Sequence, residues 1–430
     1  MKIFNNPNRT TWAELTARPA LELDFLESTV KNILNRVKLG GDAALKELTF
    51  QLDGVQLDSL LVSESEIAVA EEVLSVELKQ AIITAQRNIE VFHASQIKTE
   101  HVIETMPGVN CWRKAVAIDK VGIYIPGGTA PLFSTVLMLG TPAKLAGCKE
   151  VILCTPPDKN GKVNPAILFA ANLVGVTKIV KVGGAQAIAA LAYGTESVNK
   201  VYKIFGPGNQ YVTMAKQLVN QQGTAIDMPA GPSEVLVMAD ESAEASFVAA
   251  DLLSQAEHGT DSQVMLVLLN KNKLKDIQEE VSKQLELLPR KAIAVKALEN
   301  SRVVQFEELS EAIDFVNEYA PEHLIINLKN DEEVAEQITN AGSVFLGNYT
   351  PEAAGDYASG TNHTLPTSAY AKAYAGVSLD SFVKNITYQR ISKEGIRNIG
   401  PTIEYMAEAE QLVAHKRAVS VRLEKLLTSK

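Results

Sequence analysis

Apolar and polar positions change rhythm along the chain, and the changes divide it into four stretches. Over residues 1–115 the apolar positions recur at helical intervals: Leu78, Ala81, Ile82, Ala85, Ile89 and Phe92 fall on one face. Ser63 and Glu66 have the spacing of a capping box and mark a helix start. His93 follows the apolar face and His101 sits in the connector after it, and both read as structural or surface residues.

From residue 116 short apolar runs alternate with longer amphipathic ones. Strands are expected at 121–125, 151–154, 178–182 and 203–205, with helices at 133–146, 165–173, 185–193 and 209–220. That alternation predicts a mostly parallel sheet with helices on its faces. The same rhythm restarts with strands at 235–238, 264–269, 303–306, 324–328 and 344–346. A Gly/Pro/Asn-rich loop over 347–366 follows, then short helices and a longer one over 402–427. The expected organisation is α/β: a helical region over 1–115 packing with the second α/β unit, α/β domains over 116–232 and 233–380, and a helical tail over 381–430.

Composition narrows the function classes. A chain of 430 residues is too long for one ordinary core. A net charge of −10 and no basic block argue against nucleic acid. The start, Met1–Pro7, lacks the apolar centre of a signal peptide, and no apolar run is long enough to span a bilayer. Three cysteines, Cys111, Cys148 and Cys154, with no Cys-x-x-Cys spacing, point to a reduced, cytoplasmic chain. Any metal must then be held by nitrogen and oxygen.

Candidate chemistry lies in two groups of motifs. Glycine turns at Ile125–Gly128, Val182–Gln186 and Phe205–Asn209 open helices, where free N–H groups can meet an anion such as pyrophosphate. No G-x-G-x-x-G run exists, and tight α/β turns need glycine for steric reasons anyway. Asn209 can cap its helix, whose buried face is Tyr211, Met214, Ala215, Leu218 and Val219.

The second group is polar. Gln255 and His258 share the last turn of a helix stopped by Gly259, which suits a metal or a simple helix-end histidine. Asp356 stands in the glycine-rich loop, as a ligand or as an ordinary turn former. His363, just beyond, reads as a loop hydrogen-bonding residue. Glu322 and His323 form an acid/base pair at a strand entrance after Pro321. Adjacent residues of a regular strand face opposite ways, so both reach one cavity only if the backbone there is irregular. Glu410 and His415, five apart in the last helix, project in directions more than a right angle apart. Residue chemistry leaves three readings open: a metal-dependent oxidoreductase, a metal-dependent hydrolase with Glu322 as base, and a noncatalytic dinucleotide-binding scaffold.

Taken together the motifs resemble the histidinol dehydrogenases. The similarity rests on Tyr-Ile-Pro-Gly-Gly at 124–128, Val-Gly-Gly-Ala-Gln-Ala at 182–187, Phe-Gly-Pro-Gly-Asn at 205–209 and Met-Pro-Ala-Gly-Pro-Ser-Glu at 228–234. It continues through Ser-Gln-Ala-Glu-His-Gly at 254–259, Pro-Glu-His-Leu at 321–324 and Ala-Gly-Asp-Tyr-Ala-Ser-Gly-Thr-Asn-His at 354–363. The resemblance implies two Rossmann-like parallel-sheet units and the four-electron oxidation of L-histidinol to L-histidine with NAD and one zinc ion per subunit. It implies Gln255, His258, Asp356 and His415 as metal ligands, which also bind substrate together with Ser233, His323 and Glu410. Tyr124, Gln186 and Asn209 would contact NAD, and Glu322 and His323 would move protons. It further implies a homodimer in which Glu410 and His415 of the tail complete the neighbouring site.

Overall fold

The computed structural model describes all residues except 19–22, 128–129, 230, 270 and 429–430. Gly128 and Ala230 of the motifs above therefore lie outside the described residues. The chain separates into two compact units: Met1–Ser95 with Ile118–Phe382, and Gln96–Ala117 with Val383–Lys430.

The first unit holds two parallel sheets. One has five strands in the order Lys178–Val180, Glu150–Cys154, Lys120–Tyr124, Lys203–Phe205, Ala225–Ile226. The helices between them, Phe133–Ala146, Pro165–Leu173, Gly184–Tyr193 and Gln210–Gln221, lie within a residue of their expected bounds. Apart from the two-residue strand Ala225–Ile226, these strands bury both faces, so they read as continuous apolar runs. The core between sheet and helices divides into two clusters, one centred on the Gly184–Tyr193 helix and one on Phe133–Ala146. Leu34, Leu45 and Leu48 join the first and Ile82, Ala85 and Ile89 the second. These amino-terminal helices therefore pack with this sheet and not, as expected, with the second α/β unit.

The other sheet has six parallel strands in the order Lys2–Asn5, Arg302–Gln305, Gln263–Leu268, Glu234–Ala239, His323–Asn327, Ser343–Leu346. Five were expected. The sixth, Lys2–Asn5, is an edge strand whose partner lies 300 residues away, with Lys2 opposite Arg302. Trp12, in the helix after it, packs edge-on against Phe306 and Phe315 and ties the amino-terminal segment to this sheet's core.

The second unit has an antiparallel sheet that the sequence reading did not anticipate. Val383–Ile391 pairs with Val109–Ala117 over nine residues, and Val109–Ala117 pairs with Ile103–Met106. The helix expected over 402–427 is two helices, Lys393–Ala409 and Val413–Thr428. The break falls at Glu410–Leu412, where Gln411 takes a left-handed φ of 61°. Gly400 lets the two helices approach, since a Cβ there would meet the Leu423 side chain. Among the described residues no helix is long and apolar enough to cross a membrane.

Candidate active site

The backbone just before the strand His323–Asn327 is irregular. Ala320 adopts a left-handed conformation with φ of 51° and ends the preceding helix, and Pro321 follows it. This turn lets Glu322 and His323 reach the same side. Glu322 Oε2 accepts a hydrogen bond from the Glu234 backbone N–H at 2.9 Å. His323 Nδ1 donates to the Glu234 carbonyl at 3.2 Å, the only role a carbonyl partner allows. One residue of the neighbouring strand thus holds both side chains, whose nearest charged atoms are 3.6 Å apart. The pair lies at the amino-terminal edge of the parallel strands, opposite the usual ligand side.

Two more carboxylates converge on His323. Glu352 Oε1 lies 3.5 Å from Nδ1, and Asp356 Oδ1 lies 3.5 Å from Nε2. Both belong to the short helix Glu352–Tyr357, which occupies part of the stretch expected to be loop. Four residues apart, they project from one helix face. Gly355 between them allows the helix to sit against Phe345, since a Cβ would come within 2.7 Å of its ring. Glu352 was not singled out in the sequence; its spacing from Asp356 was the available signal.

The electrostatics follow from burial and crowding. Burial pushes the Glu322 carboxyl up to about 7, against the pull of His323. Burial also raises Glu352 to about 8, with Asp356 and Glu322 adding repulsion. For His323 burial acts downward, but Glu352, Glu322 and Asp356 outweigh it and raise the imidazole to about 10. Desolvation would raise Asp356, yet the nearby His323 imidazole holds it below the usual range.

The helix Ala245–Ala256 supplies the next wall. Gln255 lies on its last turn and is buried, while His258 falls just beyond the helix end and is exposed. Desolvation lowers the His258 pKa, with Asp356 pulling the other way. Ser254 donates to Glu352 Oε2 at 3.3 Å, which joins this helix to the carboxylate cluster. Ser233 directly precedes Glu234 and is half-buried. His363 Nδ1 meets the Asp356 carbonyl at 2.8 Å and its Nε2 meets Thr135 Oγ1 at 3.0 Å, the loop bonding expected of it. Glu410 and His415 are not among the residues gathered here. They belong to the second unit, where both are exposed.

The donor set suits a divalent cation. His323, Glu352 and Asp356 each offer a ligand atom, all within 4.8 Å of one another. His323 Nε2 and Glu352 Oε1 are buried without a hydrogen-bond partner. Unsatisfied buried polar atoms are costly, and these, set among mutually repelling carboxyls, mark a place for a positive group.

Across the first unit, Tyr124, Gln186 and Asn209 line a single cleft of about 1230 Å³. The Tyr124 hydroxyl accepts from the Gly184 N–H at 3.0 Å. Gln186 is buried and its Oε1 is unpartnered. Asn209 Oδ1 caps its helix by accepting from Tyr211 and Val212 N–H. Gly183 and Gly184, at the amino end of their helix, border the same cleft.

The family model for histidinol dehydrogenase matches residues 16–423. The chain belongs to that family. A histidinol dehydrogenase from Bacteroides fragilis (strain YCH46) is 62% identical over 426 residues, covering 99% of this chain and 100% of that protein. A chloroplastic histidinol dehydrogenase from Arabidopsis thaliana is 53% identical over 412 residues, 95% of this chain and 88% of that protein. The crystal structure of histidinol dehydrogenase from Elizabethkingia anophelis is 56% identical and superposes with a TM-score of 0.97, covering 99% of this chain and 98% of that one. This histidinol dehydrogenase family member shares the fold of that crystal structure over nearly its whole length.

Proposed function

We propose that the protein oxidises L-histidinol to L-histidine through L-histidinal, the final step of histidine biosynthesis. NAD is the oxidant and zinc the resident metal. Membership of the histidinol dehydrogenase family carries the activity. The observation that carries the chemistry is the buried Glu322–His323 pair held on Glu234, with His323 Nε2 unpartnered.

The balance is one alcohol, one water and two NAD to one carboxylate, two NADH and three protons. His323 takes the hydroxyl proton as the first hydride leaves. Its Nδ1 proton is committed to the Glu234 carbonyl, so Nε2 is the basic atom. The imidazole must be neutral for this, and positive charge beside Asp356 lowers its basicity from the value set by three carboxylates. Glu322, ionised, deprotonates water that adds to the aldehyde. His323 then serves again as the hydrated aldehyde gives up the second hydride. General bases of this kind contribute about 10²–10⁴-fold.

Gln255, His258 and Asp356 are the proposed metal ligands in one chain, with His415 as the fourth. His323 cannot ligate through Nε2 and also take a proton there, so we assign it to proton transfer. When bound, the metal would supply Lewis acidity that helps orient the substrate. Ser233, Glu410 and the metal ligands would surround the substrate. Tyr124, Gln186 and Asn209 would hold NAD, supported by their common cleft. In this reading 116–232 is the NAD side, 233–380 the metal and acid/base side, and the tail from 381 completes the site of a second subunit in a homodimer. Three free cysteines are in keeping with a reduced, cytoplasmic setting.

His323→Asn tests the base assignment. Alcohol oxidation should fall about 10²–10⁴-fold with zinc content and dimerisation unchanged. Near-normal turnover in that variant would show that another group takes the proton.

A further inference from the structure

Arg18 lies far from Glu322 and His323 in sequence, yet it touches both ends of the backbone frame that holds them. Its Nε and Nη2 make a forked pair with Glu234 at 3.2 and 2.5 Å. The Glu234 carboxylate is 1% exposed and also accepts from the Ser368 N–H. Nη2 additionally donates to the Tyr319 carbonyl at 2.7 Å, and the guanidinium lies 3.7 Å over the Tyr319 ring. Tyr319 directly precedes the left-handed Ala320 that sets the Glu322–His323 turn. The Tyr319 hydroxyl in turn donates to buried Gln263 on the next strand at 2.9 Å.

We infer that Arg18 is a positioning residue that fixes Glu322 and His323 by clamping Glu234 to Tyr319. The inference rests on the proton-transfer roles proposed above. Glu234 supplies the N–H that receives Glu322 and the carbonyl that selects the His323 tautomer. Its position along the strand is set on the main chain by sheet pairing and on the side chain by Arg18. Only a planar fork can bond a carboxylate bidentately, reach a carbonyl and stack on a ring at once, so lysine is not an equivalent. Arg18 itself is placed by its bond to the Thr16 carbonyl at 2.8 Å, after a helix anchored by Trp12. Misplacement of reacting groups by about 1 Å is enough to cost roughly 10²-fold in rate.

The test uses the full-length, zinc-loaded dimer. Arg18→Lys keeps the charge and loses the fork. It should fold with full zinc content and lower kcat at least about tenfold for histidinol and histidinal alike, with KM for NAD unchanged. Arg18→Ala opens a guanidinium-sized space beside Glu234. Added guanidinium at millimolar concentration should restore part of its kcat, whereas urea, of similar shape but neutral, should not. Arg18→Lys within about twofold of the parent kcat would overturn the inference, as would an Arg18→Ala loss that tracks only the folded fraction and ignores guanidinium. His323→Asn run alongside separates the two claims. If it keeps full turnover, the base assignment fails and the inference falls with it. If it is severely impaired while Arg18→Lys is normal, the inference alone falls.

Discussion

Replacing Glu322 by glutamine separates the two halves of the reaction. Glutamine has the same shape, and its amide oxygen can still accept the Glu234 N–H that now meets Oε2 at 2.9 Å. The frame should therefore survive. Two effects remain. The first is loss of the water-activating base, worth about 10²–10⁴-fold, or roughly 3–5 kcal/mol, in histidinal oxidation. The second is loss of one negative charge 3.6 Å from His323. At an effective dielectric of about 20 that charge is worth at most about 4–5 kcal/mol of His323 basicity. Glu352 and Asp356, each 3.5 Å from the ring, stay in place, so the imidazole remains a competent base. Histidinal oxidation should thus fall by at least about 10²-fold while hydride transfer from histidinol falls by less than about tenfold. Single-turnover NADH formation from each substrate gives both numbers. The pH dependence supplies a second check. Burial raises the Glu322 carboxyl to about 7, and only the ionised form is a base. Histidinal oxidation should rise with pH through that region, or below it when a cation sits nearby, and the rise should vanish in Glu322→Gln. Equal loss in both steps, or an unchanged pH limb, would refute the division of labour.

Two other outcomes are expected. Gly206 has a φ of +121° and a Cβ there would overlap the Tyr124 carbonyl, so Gly206→Ala should cost about 3 kcal/mol or more in chemical denaturation; an unchanged midpoint would contradict the close approach. If the tail completes a neighbouring site, inactive His258→Ala and His415→Ala variants should regain activity when mixed under subunit exchange, and no recovery despite proven exchange would mean that each chain supplies its own His415.

The parts of the fold with self-contained patterns were readable from sequence. The strand Glu150–Cys154 and the helix Phe133–Ala146 are buried runs bounded by turns, and both lie within one residue of their expected limits. The strand Val383–Ile391 was not readable, because all but its first residue are exposed and no apolar face shows in the sequence. Lys2–Asn5 has only four residues and takes its identity from a partner 300 positions on. The break at Gln411 carries no glycine or proline to announce it. At the site, Glu322, His323 and Asp356 stood out as polar residues in short motifs, but how the first two share a cavity depended on a left-handed alanine. Glu352 was hidden in a glycine-containing stretch that reads as loop. Arg18 has no local motif at all, since its partner Glu234 lies 216 residues away.

The most direct measurement is the yield of NADH per molecule of histidinol consumed by the zinc-loaded protein. The account predicts two, with activity lost on chelation and regained when zinc is restored. A yield of one with histidinal released, or a yield of two that survives complete removal of the metal, would contradict it.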